Sequence, residues 1–227
     1  MDRRRALKNI GLGAGFLVAT PTVFSLLQSC AKEVSFSPVF LSPGQAHALT
    51  KMVDLIIPSD DQVAGAIDIG ADKFIDAYWK EVIPREQDMA VVKINGEYRQ
   101  LQQHIELSWK LLEEYFLEKY GRTLDKGTPE DFDDLLKTTF AIDKPAQQEH
   151  YIKIGNFYKE YDRDPTAMLD KDASVFGLLS DIRGMTVWAW KTSEEIGKNI
   201  LWYDPIPGQQ KGCIPLDEAG NGKVMSL

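Results

Sequence analysis

Between residues 42 and 199 the apolar positions return every three or four residues, the period of one helix face, and no run alternates with the period of two that marks a strand. The first stretch, "LSPGQAHALTKMVDLIIP", offers Ser42 as N-cap, Pro43 at the first helical position and Gln45 three residues after the cap. Leu49, Met52, Val53, Ile56 and Ile57 follow on one face, and Pro58 stops the helix. A second helix is expected over 71–82, with Phe74, Ile75, Tyr78 and Trp79 buried. The longest covers 98–120 on a stripe of Leu101, Ile105, Trp109, Leu112, Phe116 and Tyr120, closed by Gly121. "GTPEDFDDLLKTTF" repeats the grammar of the first, with Thr128 as cap, Pro129 next and acids in the opening turn, where the helix dipole favours them. A fifth helix falls over 147–161. A sixth, "DASVFGLLSDIRGMTVWAW", is apolar around most of its circumference and so predicts a central, buried helix. Gly177 and Gly184, seven apart on it, share a face that a neighbour could approach closely.

The two ends break this pattern. After Asn199, "WYDPIPGQQKGCIPL" carries three prolines and two glycines, which forbid a regular helix, and the last residues are expected to lack order. At the start, Arg3, Arg4, Arg5 and Lys8 precede a run without charge up to Lys32. Gly11, Gly13 and Gly15 imitate a dinucleotide-binding turn, but no strand precedes them, and ten residues with four bases cannot supply one. A basic end, an apolar run and then small residues at a cysteine is the build of an export signal. "DRRRALK" resembles a twin-arginine signal through Arg3, Arg4, Leu7 and Lys8, with Ala6 where that pattern usually has Phe. "LLQSC" resembles a lipobox ending in Cys30, with Gln28 an unusual letter in it. An uncleaved membrane anchor is the competing reading of the same run, weakened by Pro21 and four polar residues. Either way, the positive-inside rule puts the body outside the cytoplasm.

These features divide the chain into a signal (1–29), a linker (30–41), a helical domain (42–199) and an extended tail (200–227). The expected fold is all-α, a single domain of about five to six helices. Residues 1–29 carry four bases and one acid, so their removal leaves 198 residues and moves the net charge from −8 to −11. Such a body is poorly suited to nucleic acid, whose phosphates need clustered Lys and Arg. Cys30 and Cys213 are the only cysteines. If Cys30 carries lipid, Cys213 is left to bridge to another chain or to stay a free thiol; a Cys30–Cys213 disulfide is the third option.

Chemistry inside the domain is sparse. His47, His104 and His150 are scattered, none at metal-ligand spacing, and are expected on helix surfaces. Asp68, Asp72 and Asp76, four apart, could line one face as oxygen ligands or stand as a solvated acidic row, which is the more ordinary use. Trp188, Trp190, Trp202 and Tyr203 could form a sugar platform, a core or a protein interface. No haem-attachment motif, nucleophile elbow or phosphate loop appears, so no catalytic, cofactor-binding or metal residue is assigned. Twin-arginine export carries folded proteins, commonly with a cofactor already loaded. A chain with that signal and no cofactor motif fits one that supplies the address for a partner.

"DLIIPSD", "AIDIGADKFID" and "TSEEIGKNILWYDPIPGQQKGCIPL" together resemble the gluconate 2-dehydrogenase subunit 3 family, the small subunit of membrane-bound sugar and polyol dehydrogenases. The resemblance implies a helical subunit without a cofactor of its own. It would bind an FAD-containing flavoprotein of the glucose-methanol-choline type and help it mature and leave the cytoplasm, while a separate cytochrome c takes the electrons. It places Asp204, Pro205, Pro207, Gly208 and Cys213 in the tail motif, beside Trp202, Tyr203 and Pro215, and it places Pro58 and Gly70 in the first loop. Gln209 and Gln210 stand where the family usually has an aromatic residue. The implied location is the periplasmic side of the envelope, held by an N-terminal lipid. The alternative is a free-standing periplasmic lipoprotein that binds carbohydrate through exposed tryptophans.

Overall fold

The computed structural model describes residues 37–83, 85, 102–161, 163–203, 208, 213, 215 and 218–225. The chain divides into two units, Met1–Ser37 and Pro38–Leu227, and all of the helices below belong to the second. The export-signal residues Arg3, Arg4, Leu7 and Lys8, and Cys30, lie outside the described residues.

Among the described residues six α-helices follow one another: α1 (Pro43–Ile56), α2 (Ala71–Glu81), α3 (Gln102–Tyr120), α4 (Pro129–Phe140), α5 (Lys144–Tyr161) and α6 (Lys171–Thr192). The starts of α1 and α4 form as the sequence predicts, whereas α5 begins three residues before the expected 147. Ser42 Oγ accepts the Gln45 N–H at 3.3 Å while Gln45 Oε1 accepts the Ser42 N–H at 3.0 Å, which occupies two donors that a helix end otherwise leaves open. Thr128 and Asp131 make the same reciprocal pair at the start of α4. Asp170 caps α6 by accepting the Ala173 N–H at 2.9 Å. Among the described residues there is no strand, only one parallel bridge between Trp202 and Met225, and no helix is long and apolar enough to cross a membrane.

α6 is the centre of the bundle and touches each of the other five α-helices. It buries Val175, Phe176, Leu178, Leu179 and Ile182, and this near-continuous apolar surface is why its hydrophobic pattern shows no single face. Around it, α1 contributes Leu49, Met52 and Val53, α3 contributes Ile105, Leu112 and Phe116, and α4 contributes Phe132 and Leu135, all buried. Trp79 of α2 meets Trp109 of α3 edge to face, with ring centroids 6.1 Å apart.

Three expectations are corrected by the packing. His104 is buried rather than on a surface, with its ring against Phe157, Tyr158 and Tyr161. Gly184 faces open space, so Gly177 alone of the pair permits a close approach, to Ile154 of α5. Residues 219–222, expected to lack order, form a 3₁₀ turn (Ala219–Gly222).

The acidic row is the largest correction, because two of its three members are inside. Asp72 and Asp76 are 3% and 1% exposed, which rules out a solvated row. Asp76 accepts backbone N–H groups from Val39 at 2.6 Å, Phe40 at 3.1 Å and Leu41 at 2.8 Å. Asp72 accepts the Thr50 hydroxyl at 2.8 Å, and the more exposed Asp68 accepts the Gly65 N–H at 2.9 Å. A buried carboxylate is tolerable only when hydrogen bonds replace its lost hydration, and each of these has its own donors. The spacing of four therefore reflects three separate anchors, Asp68 in the loop before α2 and Asp72 and Asp76 on the helix itself. Among the described residues no group of His, Cys, Asp or Glu could hold a metal ion.

Replacing Asp76 should loosen the strap of residues 39–41 before it harms the helices. We expect Asp76→Ala to lower the unfolding free energy by about 3 kcal/mol, with Asp76→Asn, which keeps one acceptor oxygen, losing about half as much. Denaturant titration would measure both, and limited proteolysis should show earlier cleavage near residue 40 in each variant.

Candidate partner-binding surface

The loop from Pro58 to Gly70, assigned to the first family motif, is built by its own side chains. Asp60 accepts the N–H groups of Gln62 and Val63, both at 2.8 Å, and these bonds hold its carboxyl below the usual carboxylate range. The Ala66 N–H returns to the Ile57 carbonyl at 2.9 Å, closing the loop over its own start. Gly65 sits at that crossing, where a Cβ would lie 2.8 Å from the Pro58 carbonyl carbon and 2.9 Å from the Ile57 oxygen, so only glycine fits. Gly70 leaves the loop with φ of 75° at the threshold of α2. From α6, the Trp190 indole N–H donates to the Ala64 carbonyl at 2.8 Å and fastens the loop to the central helix.

Next to this loop, α2 and α6 bring three aromatic rings together. Phe74 lies 5.2 Å from Trp188 and 5.9 Å from Tyr78, and Tyr78 meets Trp188 edge-on at 5.7 Å. Phe74 and Trp188 are 38% and 41% exposed, and Val187 beside them is also exposed, so the cluster is a surface and not core. Phe74 and Tyr78 were expected to be buried with Ile75 and Trp79. The helix turns Asp72 and Asp76 inward in their place, because those carboxylates hold Thr50 and the strap. A sequence reading that assigns acids to solvent rotates α2 the wrong way, and the aromatic pair at 74 and 78 was the available signal that a second apolar edge existed.

Beyond α6 the backbone widens into a π-helical turn (Glu195–Ile200), with Ile196 and Gly197 buried beneath it. Glu194 and Lys198 pair on its outside at 2.8 Å, which holds the carboxyl low and the ammonium high in pKa. Trp202 is half-buried: its N–H donates to the Val224 carbonyl at 2.8 Å, and Gly220, with φ of 56°, packs against its indole ring. The chain thus closes a loop from 202 to 224 whose ends meet. Tyr203 is 48% exposed, and Gly208, Cys213 and Pro215 are exposed as well. Cys213 carries a free thiol. Asp204, Pro205 and Pro207 lie outside the described residues. Of the tryptophans considered for a platform, Trp188 alone offers its ring to solvent; Trp190 and Trp202 are engaged by Ala64 and Gly220.

A family model described as gluconate 2-dehydrogenase subunit 3 matches residues 43–208, a span that opens at the first residue of α1, covers all six helices and ends beyond the π-helical turn. No curated protein and no solved structure matches the chain. The matched span takes in the built loop, the helices that hold it and the start of the tail motif as far as Gly208, and the chain belongs to the gluconate 2-dehydrogenase subunit 3 family.

Proposed function

We propose that this chain is a non-catalytic small subunit that binds and stabilises an FAD-containing dehydrogenase of the glucose-methanol-choline type, acting on a sugar or polyol. The match to a dehydrogenase-subunit family across the whole helical core is the observation that carries this reading. The escort role rests on the twin-arginine-like "DRRRALK" in a chain with no cofactor motif. Lipid on Cys30 would hold the complex to the periplasmic side of the membrane, and a separate cytochrome c would accept the electrons.

The exposed cluster of Phe74, Tyr78 and Trp188 supplies the docking anchor in this reading. Aromatic residues carry a large share of interface energy at little conformational cost, and the rigid loop beside them is fixed to the same helices. Cys213, a free thiol exposed in the tail, would bridge in this reading to a cysteine of the partner in an oxidising compartment.

Two outcomes follow. Deleting this chain should leave the flavoprotein in the cytoplasm, and normal export in the deletion strain would overturn the escort role. In mild detergent, the tagged full chain should bring down a yellow, flavin-containing protein. Phe74→Ala combined with Trp188→Ala should weaken that capture about 10-fold or more while leaving the circular dichroism spectrum unchanged, since both rings are partly exposed.

A further inference from the structure

Among the described helices α5 is the one least built into the core. Of its 18 residues it buries one, Phe157, whereas α2 buries five of 11. Its backbone nevertheless runs close along α6, because Gly177 leaves room: a Cβ there would lie 2.8 Å from Cδ1 of Ile154. Close approach without deep burial supplies little of the apolar stabilisation that holds a helix in place. On the outer side of α5, Tyr151 and Ile152 are 49% and 53% exposed.

The seams beside α5 are open. A groove of about 350 Å³ is lined by Tyr151, Ile154 and Tyr158 together with Ser108 of α3 and Ser174 of α6. A second, of about 260 Å³, is lined by His150 together with Tyr115 of α3 and Thr138 of α4. α5 therefore leans on α6 along its length, and α3 meets it at one end, where His104 packs against Phe157, Tyr158 and Tyr161.

The polar groups at the junction with α6 add little hold. Lys153 pairs with Asp170 at 3.6 Å, but both side chains are exposed enough that an ion pair contributes little. His150 stacks on Phe176 with ring centroids 5.0 Å apart, and its Nδ1 is buried without a hydrogen-bond partner. That cost disappears when water reaches the ring. Gly155 sits inside the helix where a Cβ would meet nothing within 4 Å, so no packing compensates for the poor helix propensity of glycine. Freed from α6, an 18-residue helix with such an interruption is marginal in water, and undocking and melting become one event.

We propose that α5 is a lid on the bundle: it opens by melting as a unit while the other five helices stay folded, and it bares the strip of α6 around Phe176 and Gly177. The lid shares no residue with the Phe74, Tyr78 and Trp188 surface and needs no flavoprotein, so it stands or falls separately from the function proposed above.

Native-state hydrogen exchange of the full chain in mild detergent, read by mass spectrometry over a series of low urea concentrations, tests it. Peptides from 148–161 should exchange at least about 100-fold faster than those from 175–189, with a shallower dependence on urea, because lid opening exposes less surface than global unfolding. Leu49→Ala in α1 should speed exchange in α6 about 30-fold or more by weakening the whole fold, yet leave α5 unchanged, since α1 stays packed when the lid opens. If that variant fails to fold, Ile75→Val in α2 gives the same contrast at about 3-fold. Gly155→Ala should slow exchange in α5 about 4-fold. Equal protection and equal urea dependence in α5 and α6, acceleration of both alike by the core variants, or an α5 indifferent to Gly155→Ala overturns the proposal.

Discussion

Among the described residues five helices close around a sixth, and the need to cover most of α6 sets the rest of the arrangement. A helix that is apolar around most of its circumference cannot rest on a surface, so α1 to α5 must each give it a face, and the interval between their own apolar stripes decides how far round each can reach. Towards its C-terminal half a strip bearing Asp181, Arg183, Gly184, Val187 and Trp188 is left uncovered. The exposed aromatic cluster is the end of that strip where α2 comes alongside, which makes the candidate docking surface a by-product of how the centre is wrapped.

Helix starts were legible because their chemistry is local. Ser42, Pro43 and Gln45, or Thr128 and Pro129, commit the backbone within four residues, and no distant contact can easily override them. The centrality of α6 was legible for a similar reason, since it follows from apolar residues spread around most of its circumference. What could not be read was the destination of polar groups whose partners lie far away in sequence. Asp76 is buried only because Val39, Phe40 and Leu41, more than thirty positions earlier, bring it their N–H groups. Nothing within a helical window reports that, and the usual assumption about acids then turns Phe74 and Tyr78 inward. His104 was misplaced for the same cause: its aromatic surroundings are contributed by α5, roughly fifty residues on. In the tail, Gly220 reads as a disorder signal by composition, yet its missing side chain is what lets the chain lie against Trp202.

The functional surfaces share a pattern, in that each is a rigid feature held from a distance. The Pro58–Gly70 loop has its shape from Asp60 and Gly65 but its position from Trp190. The tail has its closure from Val224 and Gly220 meeting Trp202, while Tyr203 and Cys213 remain accessible on it. A subunit of a larger complex gains from surfaces set before the encounter, because less freedom is then lost on binding.

The strap also determines where a mechanical load would enter the body. A pull on the chain ahead of Val39 would arrive at three hydrogen bonds converging on one carboxylate of α2, and would be taken up there in shear, ahead of the capped end of α1. The second helix, rather than the first, thus holds the strap.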